Sequence, residues 1–167
     1  ARGTPFKGVL FAGLMITESG PQLIEYNVRF GDPECQVLMM RLECDLLDLL
    51  CSAAAGRLDA TPPTFRPTPA LTVVMAAKGY PGSYRKGTPI GGIAAAEAVD
   101  GVKVFQAGTA LQAGKLVAAG GRVLNVSATG RTIAEARERV YRGVAAIEWD
   151  DGFCRTDIAW RAMERGA

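Results

Sequence analysis

The chain opens on an apolar run, Gly8-Val-Leu-Phe-Ala-Gly-Leu-Met-Ile-Thr17, closed by turn residues at Glu18-Ser19-Gly20-Pro21. A near-continuous apolar stretch predicts a strand covered on both faces. From Leu23 to Phe30 the pattern alternates, with Ile24, Tyr26, Val28 and Phe30 on one side and Glu25, Asn27 and Arg29 on the other. Period two predicts the second strand of a hairpin, with one apolar and one polar face. Gly31-Asp32-Pro33 breaks it. Apolar positions from Val37 to Leu50 then recur near helical spacing, predicting one helix from about Pro33 to Ala55 that ends on Gly56.

Between Asp59 and Pro69 the pattern stops. Pro62, Pro63, Pro67 and Pro69 forbid helix and central strand, so this stretch is expected to be a stiff linker. Residues 1–60 and 70–167 are expected as two units, with 61–69 between them. The second unit begins with a strand over Ala70–Ala77, and short strands are expected near Ile90–Ile93, Lys103–Gln106, Lys115–Ala118 and Arg122–Ala128. Gly120-Gly121 reads as a hairpin turn. Thr132-Ile-Ala-Glu135 is a capping box. It opens a helix with Ile133, Ala136, Val140, Val144 and Ile147 on one face and a solvated face of Glu135, Arg137, Glu138, Arg139 and Arg142. The stretch from Phe153 to Trp160 is expected to return as a strand or packing segment, with Trp149 and Trp160 as packing residues. The fold class is α+β, antiparallel strands plus a helix followed by a small β-rich domain with one main helix.

Composition narrows the chemistry. The 167 residues carry 19 basic and 17 acidic side chains, a balance that argues against a nucleic-acid surface. No apolar run approaches the roughly 18 residues of a membrane span, and the N-terminal residues hold no signal-peptide core. Cys35, Cys44, Cys51 and Cys154 form no CxxC pair; buried free thiols in a reducing, cytoplasmic setting are expected. Histidine is absent, which excludes Ser–His and Cys–His nucleophiles and His-ligated zinc. That leaves carboxylates, amides, lysines and arginines, with or without a metal held by oxygen, to carry any chemistry.

Glu25-x-Asn27 is the sharpest local feature. Residues i and i+2 of a strand point the same way, about 6–7 Å apart at their bases. Two readings fit: a solvent-facing polar edge, or an oxygen pair for one hard cation such as Mg²⁺, with Arg29 beside it to neutralise charge on a phosphoryl group. The loop Gly79-Tyr-Pro-Gly-Ser-Tyr-Arg-Lys-Gly87 lacks P-loop spacing and reads as an ordinary loop, with a phosphate cradle through Lys86 as the alternative.

The run Ile24-Glu-Tyr-Asn-Val-Arg-Phe-Gly-Asp-Pro-Glu34 closely resembles the end of the ATP-grasp region of the phosphoribosylamine–glycine ligase family. Gly8-Val-Leu-Phe-Ala-Gly-Leu-Met upstream is similar to that family's preceding strand. Leu71-Thr-Val-Val-Met-Ala-Ala-Lys-Gly-Tyr-Pro-Gly, Val104-Phe-Gln-Ala-Gly-Thr, Gly121-Arg-Val-Leu-Asn-Val-Ser-Ala-Thr-Gly and Asp157-Ile-Ala-Trp160 are similar to its C-terminal domain. Biotin carboxylase shares a Glu-x-Asn but not the following Phe-Gly-Asp-Pro-Glu. The resemblance implies a ligase of purine biosynthesis, in which ATP phosphorylates glycine and 5-phosphoribosylamine attacks the glycyl phosphate. It implies Glu25 and Asn27 as ligands of Mg²⁺ or Mn²⁺. Arg29 and Asp32 would be catalytic residues at the reacting end, Arg29 also touching ATP. It implies small-molecule partners (ATP, glycine, 5-phosphoribosylamine) and the segments that hold adenine and phosphoribosylamine, which would precede Ala1 in a longer polypeptide. Where the family often has His, this chain has Gln106. The alternatives are a non-catalytic module capping an ATP-grasp core, or another ATP-grasp ligase.

Overall fold

The computed structural model describes residues 3–58 and 62–166. Residues 59–61, where the expected boundary between first unit and linker falls, lie outside the described residues. Strands β1 (Phe11–Thr17) and β2 (Gly20–Asn27) pair antiparallel. The turn between them is tighter than the sequence predicts, at Glu18-Ser19. Gly20 takes a φ of +103°, and Thr17 Oγ1 donates to the Gly20 carbonyl at 2.8 Å. Pro21 falls inside β2 opposite Ile16, tolerable because β2 pairs with β1 alone.

Two expectations for this hairpin fail. β1 is not covered on both faces: Leu14, Met15 and Ile16 are 50%, 55% and 74% exposed, since no further sheet layer lies over them among the described residues. β2 also stops at Asn27 rather than Phe30, because its partner begins at Phe11, opposite Asn27. Arg29 therefore lies in a bend past the strand.

The single expected helix is two, α1 (Glu34–Arg41) and α2 (Leu46–Ala55). The break is built by competing bonds. Leu42 turns extended and bridges Phe65, Glu43 N–H donates to the Thr64 carbonyl at 3.0 Å, and Arg66 N–H to the Arg41 carbonyl at 2.8 Å. Asp45 then caps α2, accepting Leu47 N–H at 2.7 Å. Gly56 ends α2 with a φ of +69°. Cys44 consequently sits in the break. All four cysteines are free thiols as expected, but none is fully buried, and Cys51 is exposed.

The remaining chain forms β3 (Ala70–Ala77), α3 (Ile93–Glu97), β4 (Val102–Gln106), β5 (Thr109–Gln112), β6 (Lys115–Ala118), β7 (Arg122–Thr129), α4 (Ile133–Ala146), β8 (Gly152–Phe153) and α5 (Trp160–Glu164). Four strands make an antiparallel sheet in the order β4-β7-β3-β8, and β5 and β6 form a separate ribbon. Among the described residues the core lies wholly here, with Val73, Val123, Leu124, Val126 and Val140 at its centre. α4 packs on β3 and β7, and so does α1. Residues 90–93 hold only an isolated bridge at Gly91 before α3 starts, not a strand. Gly120-Gly121 is not a hairpin turn, because β6 pairs with β5 while β7 pairs with β3 and β4; it crosses between sheets. Glycine is required there because a side chain at Gly121 would enter the Tyr80 ring.

The Thr132 half of the capping box forms, with Glu135 N–H donating to Thr132 Oγ1 at 3.1 Å, while the Glu135 carboxylate accepts the Arg131 backbone N–H at 2.7 Å in place of that of Thr132. The polar face of α4 is more than solvated. Arg137 donates to the carbonyls of Ile158 (3.0 Å) and Thr156 (2.8 Å), and Arg139 pairs with Asp100 (2.7 Å) and Glu135 (3.0 Å). Trp149 is buried and donates through Nε1 to Thr88 Oγ1 at 2.9 Å, whereas Trp160 is 44% exposed under the Arg161 guanidinium. Among the described residues no helix is long and apolar enough to cross a membrane.

Candidate functional site

Alternation along β2 places Glu25 and Asn27 on one face. Their register partners, Gly13 and Phe11, are one pleat apart on β1. The two side chains touch: Asn27 Nδ2 donates to Glu25 Oε1 at 2.9 Å. Gly13 leaves room for this, since a Cβ there would come within 3.3 Å of Glu25 Cγ. The hydrogen bond uses Nδ2 and Oε1, so Glu25 Oε2 and Asn27 Oδ1 are the oxygens that would reach a cation. Glu25 is exposed and Asn27 half-buried at the end of the strand. Among the described residues no three His, Cys, Asp or Glu side chains cluster as a metal cage. One carboxylate plus one amide suits a cation that keeps waters and takes its remaining oxygens from phosphates, as Mg²⁺ does.

Arg29 and Asp32 stand differently. The Arg29 guanidinium turns back onto the Phe30 carbonyl at 2.8 Å. Asp32 pairs with Arg122 of β7: its carbonyl accepts Arg122 Nη1 at 3.1 Å and its carboxylate lies 3.5 Å from Arg122 Nε. Neither is hydrogen-bonded to Glu25 or Asn27. The structure thus joins the Glu25–Asn27 pair directly and leaves the other two residues on the chain that follows it. Arg122 is the partner the sequence reading missed; Gly121-Arg122 was legible only as the start of a strand. Burial, then the Asp32 carboxylate, pushes the Cys35 thiol up, and burial does the same to Cys154, so neither is an activated nucleophile.

A cleft of about 610 Å³ lies elsewhere, lined by Arg85, Thr88, Lys115, Glu148, Trp149 and Asp151 among others. It contains none of the predicted site residues. The Gly79–Gly87 loop borders it through Arg85, which pairs with Asp151 at 3.2 Å.

The phosphoribosylglycinamide synthetase C-domain model matches residues 70–161, and the ATP-grasp (A) domain model of the same family matches residues 1–35. The chain is 62% identical over 163 residues to the phosphoribosylamine–glycine ligase of Rhizobium meliloti, covering 98% of this chain and 38% of that protein. It is 55% identical to the chloroplastic enzyme of Arabidopsis thaliana, covering 31% of its length. The crystal structure of phosphoribosylamine–glycine ligase from Thermotoga maritima superposes with a TM-score of 0.76 at 34% identity, covering 89% of this chain and 36% of that one. The N5-carboxyaminoimidazole ribonucleotide synthetase of the same organism gives 0.63 at 15% identity, a likeness of fold alone. A strand bearing Glu-x-Asn, the turn to α1 and the β-rich sheet behind it thus match one family in one order, and the chain, spanning 38% of the length of its Rhizobium relative, belongs to the phosphoribosylglycinamide synthetase family.

Proposed function

We propose that this chain is the C-terminal segment of a phosphoribosylamine–glycine ligase and contributes the metal-binding strand of its active site. The reaction transfers the γ-phosphoryl group of ATP to the glycine carboxylate, releasing ADP. The amine of 5-phosphoribosylamine then attacks the glycyl carbonyl, forming the amide of glycinamide ribonucleotide and expelling phosphate. The observation that carries this reading is the Glu25–Asn27 contact on one strand face. Glu25 and Asn27 would hold Mg²⁺ or Mn²⁺, which when bound screens the ATP phosphates and polarises the transferring group.

The residues of this chain bind and orient. Glu25 supplies the formal charge of the donor pair, and Asn27 a neutral oxygen held beside it by the strand. Arg29, one bend further on, would swing from the Phe30 carbonyl to the phosphoryl oxygens, where a planar fork matches two oxygens at once. Asp32 would stand toward the glycine or amine substrate. No step needs histidine, because proximity and charge stabilisation do the catalysis. The setting implied is the cytoplasm.

Joined to the N-terminal segments of a full-length relative, this segment should support ADP release that depends on ATP, glycine and phosphoribosylamine together. The 167-residue chain alone should give none. Turnover by the isolated chain, or ATP hydrolysis indifferent to glycine in the joined enzyme, would contradict the proposal.

A further inference from the structure

Arg122 reaches out of the C-terminal sheet to a single residue of the first unit. One guanidinium grips Asp32 twice, at the backbone carbonyl (3.1 Å) and at the carboxylate (3.5 Å). Among the described residues this is the one ion pair that joins 3–58 to 62–166. Both ends are stiff. Arg122 starts β7 opposite Ala76, the Gly121 carbonyl accepts Ala77 N–H at 2.8 Å, and Gly121 lies against Tyr80. On the other side Gly31 is buried, and its carbonyl accepts Cys35 N–H at 3.0 Å to open α1. Asp32 sits five residues past Asn27, on the only path from the Glu-x-Asn strand into α1.

We propose that Arg122 is a positioning residue of the ligase site: by fixing Asp32 it sets where the bend carrying Arg29 leaves the Glu25–Asn27 strand. The proposal rests on the reading of Glu25 and Asn27 given above. The two partners are 42% and 44% exposed, so the pair contributes little to stability. Placement is another matter, because a shift of about 1 Å at a reacting group costs on the order of 10²-fold in rate. A grip on backbone and side chain together constrains both position and rotation of the turn, and only a forked cation makes it.

The test is a double-mutant cycle in the full-length ligase that carries this segment, with Arg122→Gln, Asp32→Asn and the double variant. Arg122→Gln should lower kcat about tenfold or more, leaving KM for ATP and the melting temperature near those of the parent. Arg122→Lys should recover only part of the loss. In the Asp32→Asn background the Arg122→Gln change should cost clearly less than in the parent, because the carboxylate half of the grip is already gone and only the bond to the backbone carbonyl is left to lose. Unchanged kcat, a kcat loss matched by a large fall in melting temperature, full recovery in Arg122→Lys, or additive effects would each overturn the proposal. Glu25→Gln, run alongside, separates the two claims. If it retains turnover the metal reading has failed; if it loses turnover while the cycle is additive, only the role of Arg122 has failed.

Discussion

Glu97 closes α3 and collects two donors, the Lys103 ammonium at 2.7 Å and the Val104 backbone N–H at 3.1 Å. The Lys103 hydrogen bond first, then the Val104 N–H, holds its carboxyl below the usual carboxylate range, against a smaller opposing effect of burial. A carboxyl depressed in the folded state adds stability that is present above its unfolded pKa and is lost as pH falls through its folded pKa. Glu97→Gln should therefore cost about 1 kcal/mol at pH 7. The gap between variant and parent should narrow as pH falls below about 4. Denaturant unfolding at pH 7 and pH 3 checks this, and an equal gap at both would contradict it. The same lesson applies to the site. Glu25 and Asn27 were legible because strand period alone decides which face a side chain takes. Asp32 was not, because its partner Arg122 lies 90 residues away and no local pattern records that contact.

Helix α4 shows how far local signals reach. Thr132 and Glu135 announce its start, and Ala136 and Val140 its buried face, with Gly143 on the same face. Glycine inside a helix ordinarily costs about 1 kcal/mol against alanine. At Gly143, however, a Cβ would lie 3.0 Å from both Val102 Cγ1 and Val126 Cγ1. Overpacking of that kind costs about 1–3 kcal/mol. Gly143→Ala should thus destabilise the fold by about 1 kcal/mol rather than gain the usual helix preference, and a rise in melting temperature would contradict the packing described. α1 and α2 mark the limit of the same reasoning. The apolar spacing from Val37 to Leu50 continues across the break, but Thr64, Phe65 and Arg66 claim the backbone of Arg41–Glu43. Bonds formed with a distant, proline-rich segment leave no trace in helical periodicity. β2 is shortened for a similar reason, its length being set by where β1 begins.

At the scale of the molecule the β1–β2 hairpin and the C-terminal sheet differ in kind. Among the described residues the hydrophobic core lies within 70–158, on and around the C-terminal sheet, while the β1–β2 hairpin keeps Ile16, Ile24 and Tyr26 exposed. A two-stranded ribbon with no covering layer is marginal in water. In the isolated chain, amide hydrogens of 11–27 should exchange much faster than those of 70–77 and 122–129, and equal protection would contradict this division. The ribbon that carries the proposed metal pair thus depends on its surroundings for rigidity, and under the proposed function its chemistry would be expressed only in a full-length ligase. The most direct measurement is kcat of that ligase with Glu25→Gln across a titration of Mg²⁺, beside Glu138→Gln on the exposed face of α4. The glutamine keeps shape and hydrogen-bonding capacity and removes only the charge that would hold the cation. If Glu25 is a metal ligand, kcat falls on the order of 10²-fold or more and Glu138→Gln stays near the parent. Near-normal turnover of Glu25→Gln at saturating Mg²⁺ would contradict the metal assignment and leave β2 a structural strand.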